Sequence, residues 1–283
     1  MRGSPSSWRN RPVLVTGCTG FLGSAVTREL LDRGAFVVGL VRDRAVGVAF
    51  SSERDAKRFH ATHGRVEDSI RLHSAMAVHE VGAIFHFANS DPFGNDRGTA
   101  AVLRAAALHN PGVPVITARP AGQLGLVPGD DSPAIPLGVA RFGELFGGGD
   151  RKVFRVVPRT VIGLITGDAG SPESGPARDF VFVRDAARAC LALAEVVGAD
   201  ARSRDLTFRS GWELPEREMG RLVANVFAGR TSELLAGQPP VNPLGWQPGT
   251  SLVAAIGETI EWYRAFLRTR FFGTRPADVR QAA

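Results

Sequence analysis

The stretch Val13-Leu14-Val15-Thr16-Gly17-Cys18-Thr19-Gly20-Phe21-Leu22-Gly23 decides the fold of this chain. A short apolar run ends in a loop with three evenly spaced glycines. Apolar residues then recur at helical spacing over residues 21–33, and Gly34 ends the pattern. This order predicts a buried strand, a tight turn and a helix. A second apolar run, residues 36–41, completes a βαβ unit of the length typical of dinucleotide-binding folds.

The same alternation of elements continues along the chain. Further strands are predicted at residues 58–61, 83–87, 113–117 and 137–141, and helices at 68–78 and 95–109. Alternation of this kind predicts the α/β class, with a Rossmann-type doubly wound parallel sheet and a small C-terminal substrate lobe. We expect a dinucleotide-binding Rossmann domain at 1–150, to which 178–210 return. The substrate lobe would comprise 151–177 and 211–283, including a C-terminal helix.

Composition excludes several function classes. The net charge of +6 comes from arginines scattered among acidic residues, without the basic stripe with interleaved aromatic residues that nucleic-acid binding would need. No apolar run is long enough for a membrane span, and the first twelve residues lack an apolar signal core. Two cysteines, Cys18 and Cys190, are too few for a disulfide framework. We therefore expect a cytoplasmic protein that binds neither membranes nor nucleic acid, and we predict no metal site.

The glycine loop is the strongest indication of a ligand. Between a buried strand and an amphipathic helix, such a loop lets backbone N–H groups at the helix N-terminus meet a pyrophosphate. The predicted cofactor-binding residues of this loop are Gly17, Thr19, Gly20, Phe21, Leu22 and Gly23.

The end of the second strand bears on the choice between NADP and NAD. There Arg42 precedes Asp43. An arginine at this position receives the 2′-phosphate of NADP, whereas a carboxylate binds the ribose hydroxyls of NAD. The order favours NADP over NAD, although a solvated loop residue is the alternative interpretation of Arg42.

Six further segments carry motifs of one family. They are GRVED at 64–68, FHFAN at 85–89, NDRGT at 95–99, FGGGD at 146–150, RDFVFVRD at 178–185 and LGWQP at 244–248. With the glycine loop and a final helix at 251–268, they resemble the nucleotide-sugar 4,6-dehydratases and epimerases of the extended short-chain dehydrogenase/reductase family. The similarity is greatest to the CDP-glucose and GDP-mannose dehydratase branch.

The resemblance implies additional binding residues. Arg65 and Val66 fall on the adenine-contacting turn, where Arg65 replaces an Asp that accepts from the adenine amino group in relatives. Ala88 and Asn89 fall beside the cofactor ribose, and Asn89 replaces a small Ala. The residues that it places near a nucleotide-linked or other small-molecule substrate are Asn95, Arg119, Arg178 and Arg184, of which Arg178 matches an arginine that contacts the diphosphate.

The family's proton-transfer residues are missing. Relatives use a Tyr and a Lys four residues apart on one helix, but this chain has only Tyr263, Lys57 and Lys152. The neighbouring hydroxyl and acid positions align with Pro120, Ala121 and Gly122, none of which exchanges a proton. Only residues 126–136, with three prolines, remain for the catalytic helix. We expect that this helix is deleted and that the chain is a monomer or an altered dimer, because relatives dimerise through it.

Four residues remain as candidates for catalysis: His86, Asp91, Asp130 and Asp131. A strand-end histidine is more often structural, and aspartates in loops are more often solvated turn residues.

Three hypotheses for the function stay open, in this order. The first is an enzyme of specialised metabolism that performs a non-redox elimination, isomerisation or cyclisation. The second is a non-catalytic NAD(P)-binding sensor or partner protein. The third is a conventional redox enzyme with a relocated proton relay.

Overall fold

A computed structural model describes residues 7–42, 52–88, 97–123, 135–168, 175–230 and 240–272. The strands are β1 Pro12–Thr16, β2 Phe36–Val41, β3 Phe59–His63, β4 Ala83–His86, β5 Val115–Pro120, β6 Leu137–Phe142, β7 Glu144–Phe146, β8 Ala177–Phe182, β9 Arg204–Thr207 and β10 Glu213–Pro215. The helices are α1 Phe21–Asp32, α2 Glu53–Lys57, α3 Ser69–Val78, α4 Arg97–His109, α5 Val156–Thr166, α6 Val183–Asp200, α7 Glu216–Phe227 and α8 Leu252–Phe272, with a short 3-10 helix at Pro243–Gly245.

The chain forms two compact units. The first comprises Met1–Arg141 and Ala187–Thr207, and the second comprises Phe142–Ala186 and Phe208–Ala283. The predicted dinucleotide-binding domain also contained 142–150, 178–186 and 208–210, all of which lie in the second unit. The first two of these segments contain β7 and most of β8, which pair with each other in a separate sheet. That pairing moves both segments into the second unit.

The first unit is built on a seven-stranded sheet of order β3-β2-β1-β4-β5-β6-β9. Pairing is parallel between β1 and β2, β1 and β4, β2 and β3, β4 and β5, and β6 and β9. The order of strands reverses between β1 and β4, so the chain proceeds outward on either side. In open α/β sheets, ligands bind at the carboxyl ends of the strands at such a reversal.

The core explains the continuous apolar runs of the sequence. Val13, Leu14 and Val15 of β1 are all fully buried, as expected for a strand covered on both faces. Beneath one face, Leu72 and Met76 of α3 pack in a cluster with buried residues of the sheet and of α4. The predicted Rossmann-type parallel sheet is therefore present, with its centre where the glycine loop begins.

Element boundaries differ from the predictions by a few residues. Strand β5 begins at Val115, because the Val113 N–H donates to the carbonyl of Asn110 in a turn (3.0 Å), and it continues to Pro120. Helix α3 begins at Ser69, since the side chain of Asp68 caps it by accepting from the Arg71 N–H (3.0 Å). Most of the segment 126–136, where the deletion of the catalytic helix is predicted, lies outside the described residues.

The second unit contains a three-stranded sheet of order β10-β8-β7. Strand β8 pairs parallel to β7 and antiparallel to β10. Phe146, Phe180 and Val181 form part of its buried interior. Throughout the described segments, no helix combines the length and apolarity that a membrane crossing requires.

Candidate cofactor site and its surroundings

Gly17 brings the glycine loop against the end of β4. Its φ of +73° lies in the left-handed region that favours glycine. A Cβ at this position would lie 2.7 Å from the Phe87 carbonyl carbon and 2.7 Å from the Ala88 nitrogen. Only glycine therefore permits this turn and this approach together.

Gly20 and Gly23 set the start of α1. The Gly20 N–H donates to the Gly17 carbonyl at 2.8 Å, and a Cβ on Gly23 would lie 2.0 Å from that same oxygen. Gly20 is the N-cap; it has no side chain to bond the first amides, and the first turn of α1 contains no acidic residue. The helix N-terminus therefore presents backbone donors and a positive dipole end that suit an anionic group.

The remaining loop residues divide into exposed and buried positions. Gly20 is exposed and Thr19 and Phe21 are half-buried, whereas Leu22 and Gly23 are buried. Leu22 packs into the interior, so any ligand contact from it would come through its backbone.

Cys18 is a packing residue of this loop. It is fully buried, and its Sγ lies 3.6 Å from the Leu40 carbonyl. A Cβ on Gly39 would lie 2.9 Å from this sulfur, so glycine at 39 makes room for the thiol. Burial raises the pKa of Cys18 to about 11, which leaves little thiolate at neutral pH.

His86 ties three elements together below the loop. The side chain is 3% exposed; its Nδ1 lies 2.7 Å from the Thr16 hydroxyl, and its Nε2 lies 2.8 Å from the Thr99 hydroxyl. The Ala88 N–H donates to Thr16 Oγ1 at 3.4 Å, so the Thr16 hydroxyl joins the histidine to the backbone after β4. This environment favours a structural role for His86 over the catalytic role considered from the sequence.

We expect Thr99→Val to lower the free energy of unfolding by about 1–3 kcal/mol, because it removes the hydrogen-bond partner of a buried imidazole nitrogen. Thr27→Val is the matched control. Its hydroxyl is equally buried and has no hydrogen-bond partner among the described residues, so the change should be neutral or stabilising. Urea unfolding of both variants checks the difference, and equal midpoints would refute the role given to Thr99.

The other predicted cofactor residues lie at the carboxyl ends of β2, β3 and β4. Arg42 is exposed directly after β2, and Ala88 is half-buried after β4. Arg65 is exposed and lies 3.4 Å from Glu67, whereas Val66 is buried in the core. Parallel strands place these ends on one edge of the sheet, beside the glycine loop.

Several predicted site residues cannot be positioned. The cofactor residues Asp43 and Asn89, the substrate residue Asn95 and the catalytic candidates Asp91, Asp130 and Asp131 all lie outside the described residues.

The end of β5 has no proton-exchanging group at the aligned positions. Pro120, Ala121 and Gly122 are exposed there. Arg119, just before them, is half-buried, and Thr117 is buried beside His86 in the strand register. A hydroxyl is therefore present near β4, but it lies three residues before the position that the family motif uses.

Tyr263, the single tyrosine of the chain, belongs to the second unit. It lies in α8, is 1% exposed and donates its hydroxyl to the backbone carbonyl of Asp150. Burial raises the pKa of Tyr263 above its ordinary value. The residue four positions later is Leu267, so the Tyr-x-x-x-Lys pair is absent at this site also.

Both arginines predicted for the substrate in the second unit have carboxylate partners. Arg178 lies 3.2 Å from Glu216 and 3.9 Å from Glu144, and Arg184 lies 2.6 Å from Glu258. All of these pairs are partly exposed, where ion pairs contribute about 0–1 kcal/mol. An anionic ligand could therefore compete for either arginine at low cost.

The segment RDFVFVRD contains two structural aspartates whose role the sequence motif did not indicate. Asp179 accepts from the Ser210 N–H (3.1 Å) and the Gly211 N–H (3.0 Å). Asp185 accepts from the N–H groups of Gly249 (3.1 Å) and Thr250 (3.3 Å). Their spacing within the motif was visible, but their partners lie 31 to 65 residues away.

Metal-ligating residues do not gather in the described part of the chain. Within those residues, no group of three or more His, Cys, Asp or Glu side chains could hold a metal ion.

Comparison with known proteins agrees with this architecture. Residues 13–105, from β1 into α4, match the model of the NAD dependent epimerase/dehydratase family. No curated protein sequence matches the chain.

Solved structures match over nearly the whole length. UDP-glucose 4-epimerase from Thermotoga maritima, solved with UDP-glucose, is 19% identical, with a TM-score of 0.69 over 90% of this chain and 99% of that one. The Bordetella bronchiseptica enzyme WbmF in complex with NADH is 20% identical, with a TM-score of 0.73 over 94% and 95%. UDP-N-acetylglucosamine 4-epimerase from Methanobrevibacter ruminantium M1, in complex with UDP-N-acetylmuramic acid, is 14% identical, with a TM-score of 0.70 over 91% and 99%. At these identities the likeness shows the fold, so the predicted Rossmann-type α/β fold is confirmed, while the CDP-glucose and GDP-mannose dehydratase branch stays a prediction.

Proposed function

We propose that the chain binds NAD or NADP on an epimerase/dehydratase scaffold and catalyses a non-redox step on a nucleotide-linked or other small-molecule substrate. The proposed reaction is an elimination, an isomerisation or a cyclisation. The main observation in favour of cofactor binding is the geometry of the Gly17–Gly23 loop. The loop lies against the end of β4, and the first turn of α1 has no side-chain cap and no acidic residue. The match of residues 13–105 and the ligands of the solved neighbours support it.

The residues present fit a dinucleotide. The uncapped amides of α1 would face the pyrophosphate, and the ends of β2 and β3 would receive the adenosine. Arg42 at the end of β2 favours NADP. When bound, the cofactor supplies a nicotinamide ring that can exchange a hydride.

The missing acid/base pair supports the loss of the redox step. A sugar hydroxyl must lose its proton as its carbon gives up a hydride, and a tuned general base accelerates such a transfer by about 10²–10⁴-fold. Tyr263 is occupied by the carbonyl of Asp150, and neither lysine lies four residues from it. The positions at 120–122 have no titratable side chain.

A non-catalytic sensor is the second candidate, and one observation favours it. Among the catalytic candidates, His86 is the one that lies in the described part of the chain. Both of its ring nitrogens contact buried threonine hydroxyls, which indicates a structural role. A sensor would bind the dinucleotide and leave every substrate unchanged.

The deciding experiment combines cofactor titration with a substrate panel. The full chain is titrated with NAD⁺, NADH, NADP⁺ and NADPH by calorimetry, and then incubated with each cofactor and with UDP-, GDP- and CDP-linked sugars. We expect binding, no absorbance of reduced cofactor during the first turnover, and an altered sugar by NMR spectroscopy, which also detects isomers of equal mass. Binding with no altered sugar supports the sensor, and transient cofactor reduction during turnover supports a conventional redox enzyme.

Tyr263→Phe tests whether the single tyrosine has moved into a catalytic role. We expect the change to cost about 0.5–1.5 kcal/mol of stability, because one buried hydrogen bond is lost, and to leave dinucleotide affinity and any turnover unchanged. Calorimetric titration and product assays on the variant check this. Loss of turnover in a folded variant would identify Tyr263 as a relocated acid/base and support the redox hypothesis.

A further inference from the structure

Two exposed arginines lie close to the carboxyl ends of the neighbouring strands β2 and β3, a region called the β2–β3 corner below. Arg42 follows β2, and Arg65 lies in the turn that follows β3. The Gly64 N–H donates to the carbonyl of Val41, the last residue of β2, at 3.1 Å. This bond fixes the turn beside Arg42, so both arginines leave the backbone at the same corner.

The side chain of Arg71 contacts this turn at several points. Its NH1 donates to the His63 carbonyl at 2.9 Å, and its Nε lies 3.5 Å from an Asp68 carboxylate oxygen. Its side chain crosses Gly64 so closely that a Cβ there would lie 2.4 Å from Arg71 Cδ. The backbone that carries Arg65 is therefore held on both sides.

Arg65 itself remains available to a ligand. Its side chain is 75% exposed, and its ion pair with Glu67 spans 3.4 Å. Exposed pairs of this kind contribute about 0–1 kcal/mol, whereas a guanidinium and a phosphate form charge-assisted, often bidentate bonds. A dianionic phosphate would displace Glu67 readily.

We infer that Arg65 acts with Arg42 to select NADP by binding its adenosine 2′-phosphate. An arginine at 65 cannot accept from the adenine amino group, whereas its N–H donors suit the oxygens of a phosphate. NADP would place its 2′-phosphate at this corner, whereas NAD would place two uncharged ribose hydroxyls there, with no anion for either guanidinium. The inference rests on the proposed cofactor site and names the cofactor that the site selects.

The test compares NADPH with NADH on the full chain and its variants by calorimetric titration. We expect the unaltered protein to bind NADPH at least about tenfold more tightly than NADH. Arg65→Ser should weaken NADPH binding about tenfold and change NADH binding less than about twofold. Arg104→Ser is the control, because Arg104 is an exposed arginine of α4 in the same unit.

Each other outcome has a distinct meaning. Equal affinities for the two cofactors, or an equal loss for both in Arg65→Ser, would overturn the inference and leave the proposed cofactor binding standing. A protein that binds neither dinucleotide would overturn the proposed function and this inference with it.

Discussion

Gly23→Ala is expected to abolish measurable dinucleotide binding, with a loss of about 100-fold or more in affinity. The new Cβ would lie 2.0 Å from the Gly17 carbonyl oxygen, a backbone atom that cannot rotate away as a side chain would. The loop must therefore shift by more than 1 Å to reach an ordinary contact of about 3.4 Å. A shift of that size misplaces the amides of α1, and strain of this kind costs about 2–4 kcal/mol of stability.

Gly257→Ala provides the matched control for this change. Gly257 lies inside α8, and a Cβ there would meet no heavy atom within 4 Å. Alanine should stabilise the helix by about 0.5–1 kcal/mol and leave cofactor affinity unchanged. Calorimetric titration and urea unfolding measure both variants. Full binding by Gly23→Ala would show that the loop does not hold the cofactor through the geometry described.

Asp185→Ala is expected to lower the free energy of unfolding by about 3 kcal/mol. The carboxylate is fully buried in the first turn of α6, where the helix dipole favours a negative charge. It accepts from the N–H groups of Gly249 and Thr250, which lie three and two residues before α8 begins at Leu252. Alanine leaves both donors without this acceptor and removes the link that positions the start of α8.

Two further variants sharpen the result for Asp185. Asp185→Asn should recover only part of the loss, because an amide nitrogen in place of one carboxylate oxygen would face a backbone N–H. Asp205→Ala should cost no more than about 1 kcal/mol, since Asp205 is half-exposed in its pair with Arg141. Urea unfolding followed by circular dichroism checks all three, and a loss at Asp185 no larger than at Asp205 would contradict the role assigned here.

Local patterns account for the part of the fold that the sequence predicted well. The βαβ unit from Pro12 to Val41 follows from two buried strands, a helical period and three glycines, all within thirty residues. The predicted edges of later strands shift where a turn or a cap intervenes, as at Val113 and Asp68. The separate sheet of β7, β8 and β10 was not predicted, because its pairings join segments of the chain far apart in sequence.

The candidate site was predictable only where its geometry is local. The glycine loop could be predicted because the spacing of its three glycines is itself the feature that the turn requires. The bonds of His86 to Thr16 and Thr99 join residues 70 and 13 positions apart, so the sequence identified the histidine without its environment. The partners of Arg178 and Arg184 are glutamates 38 and 74 residues away, and spacing could not have revealed them.

Deuterium tracing with native mass spectrometry tests the central proposal most directly. The full chain is mixed with NADP⁺ and nucleotide sugars deuterated at C4 of the sugar. The complex is sampled during the first turnover, because a conventional epimerase or dehydratase returns the hydride to the sugar by the end of its cycle. The mass of the bound cofactor is read from the intact complex. We predict a complex that contains one dinucleotide per chain, oxidised and free of deuterium. Reduced cofactor that carries deuterium would contradict the proposed loss of redox chemistry, and a protein that retains no dinucleotide would contradict the cofactor site itself.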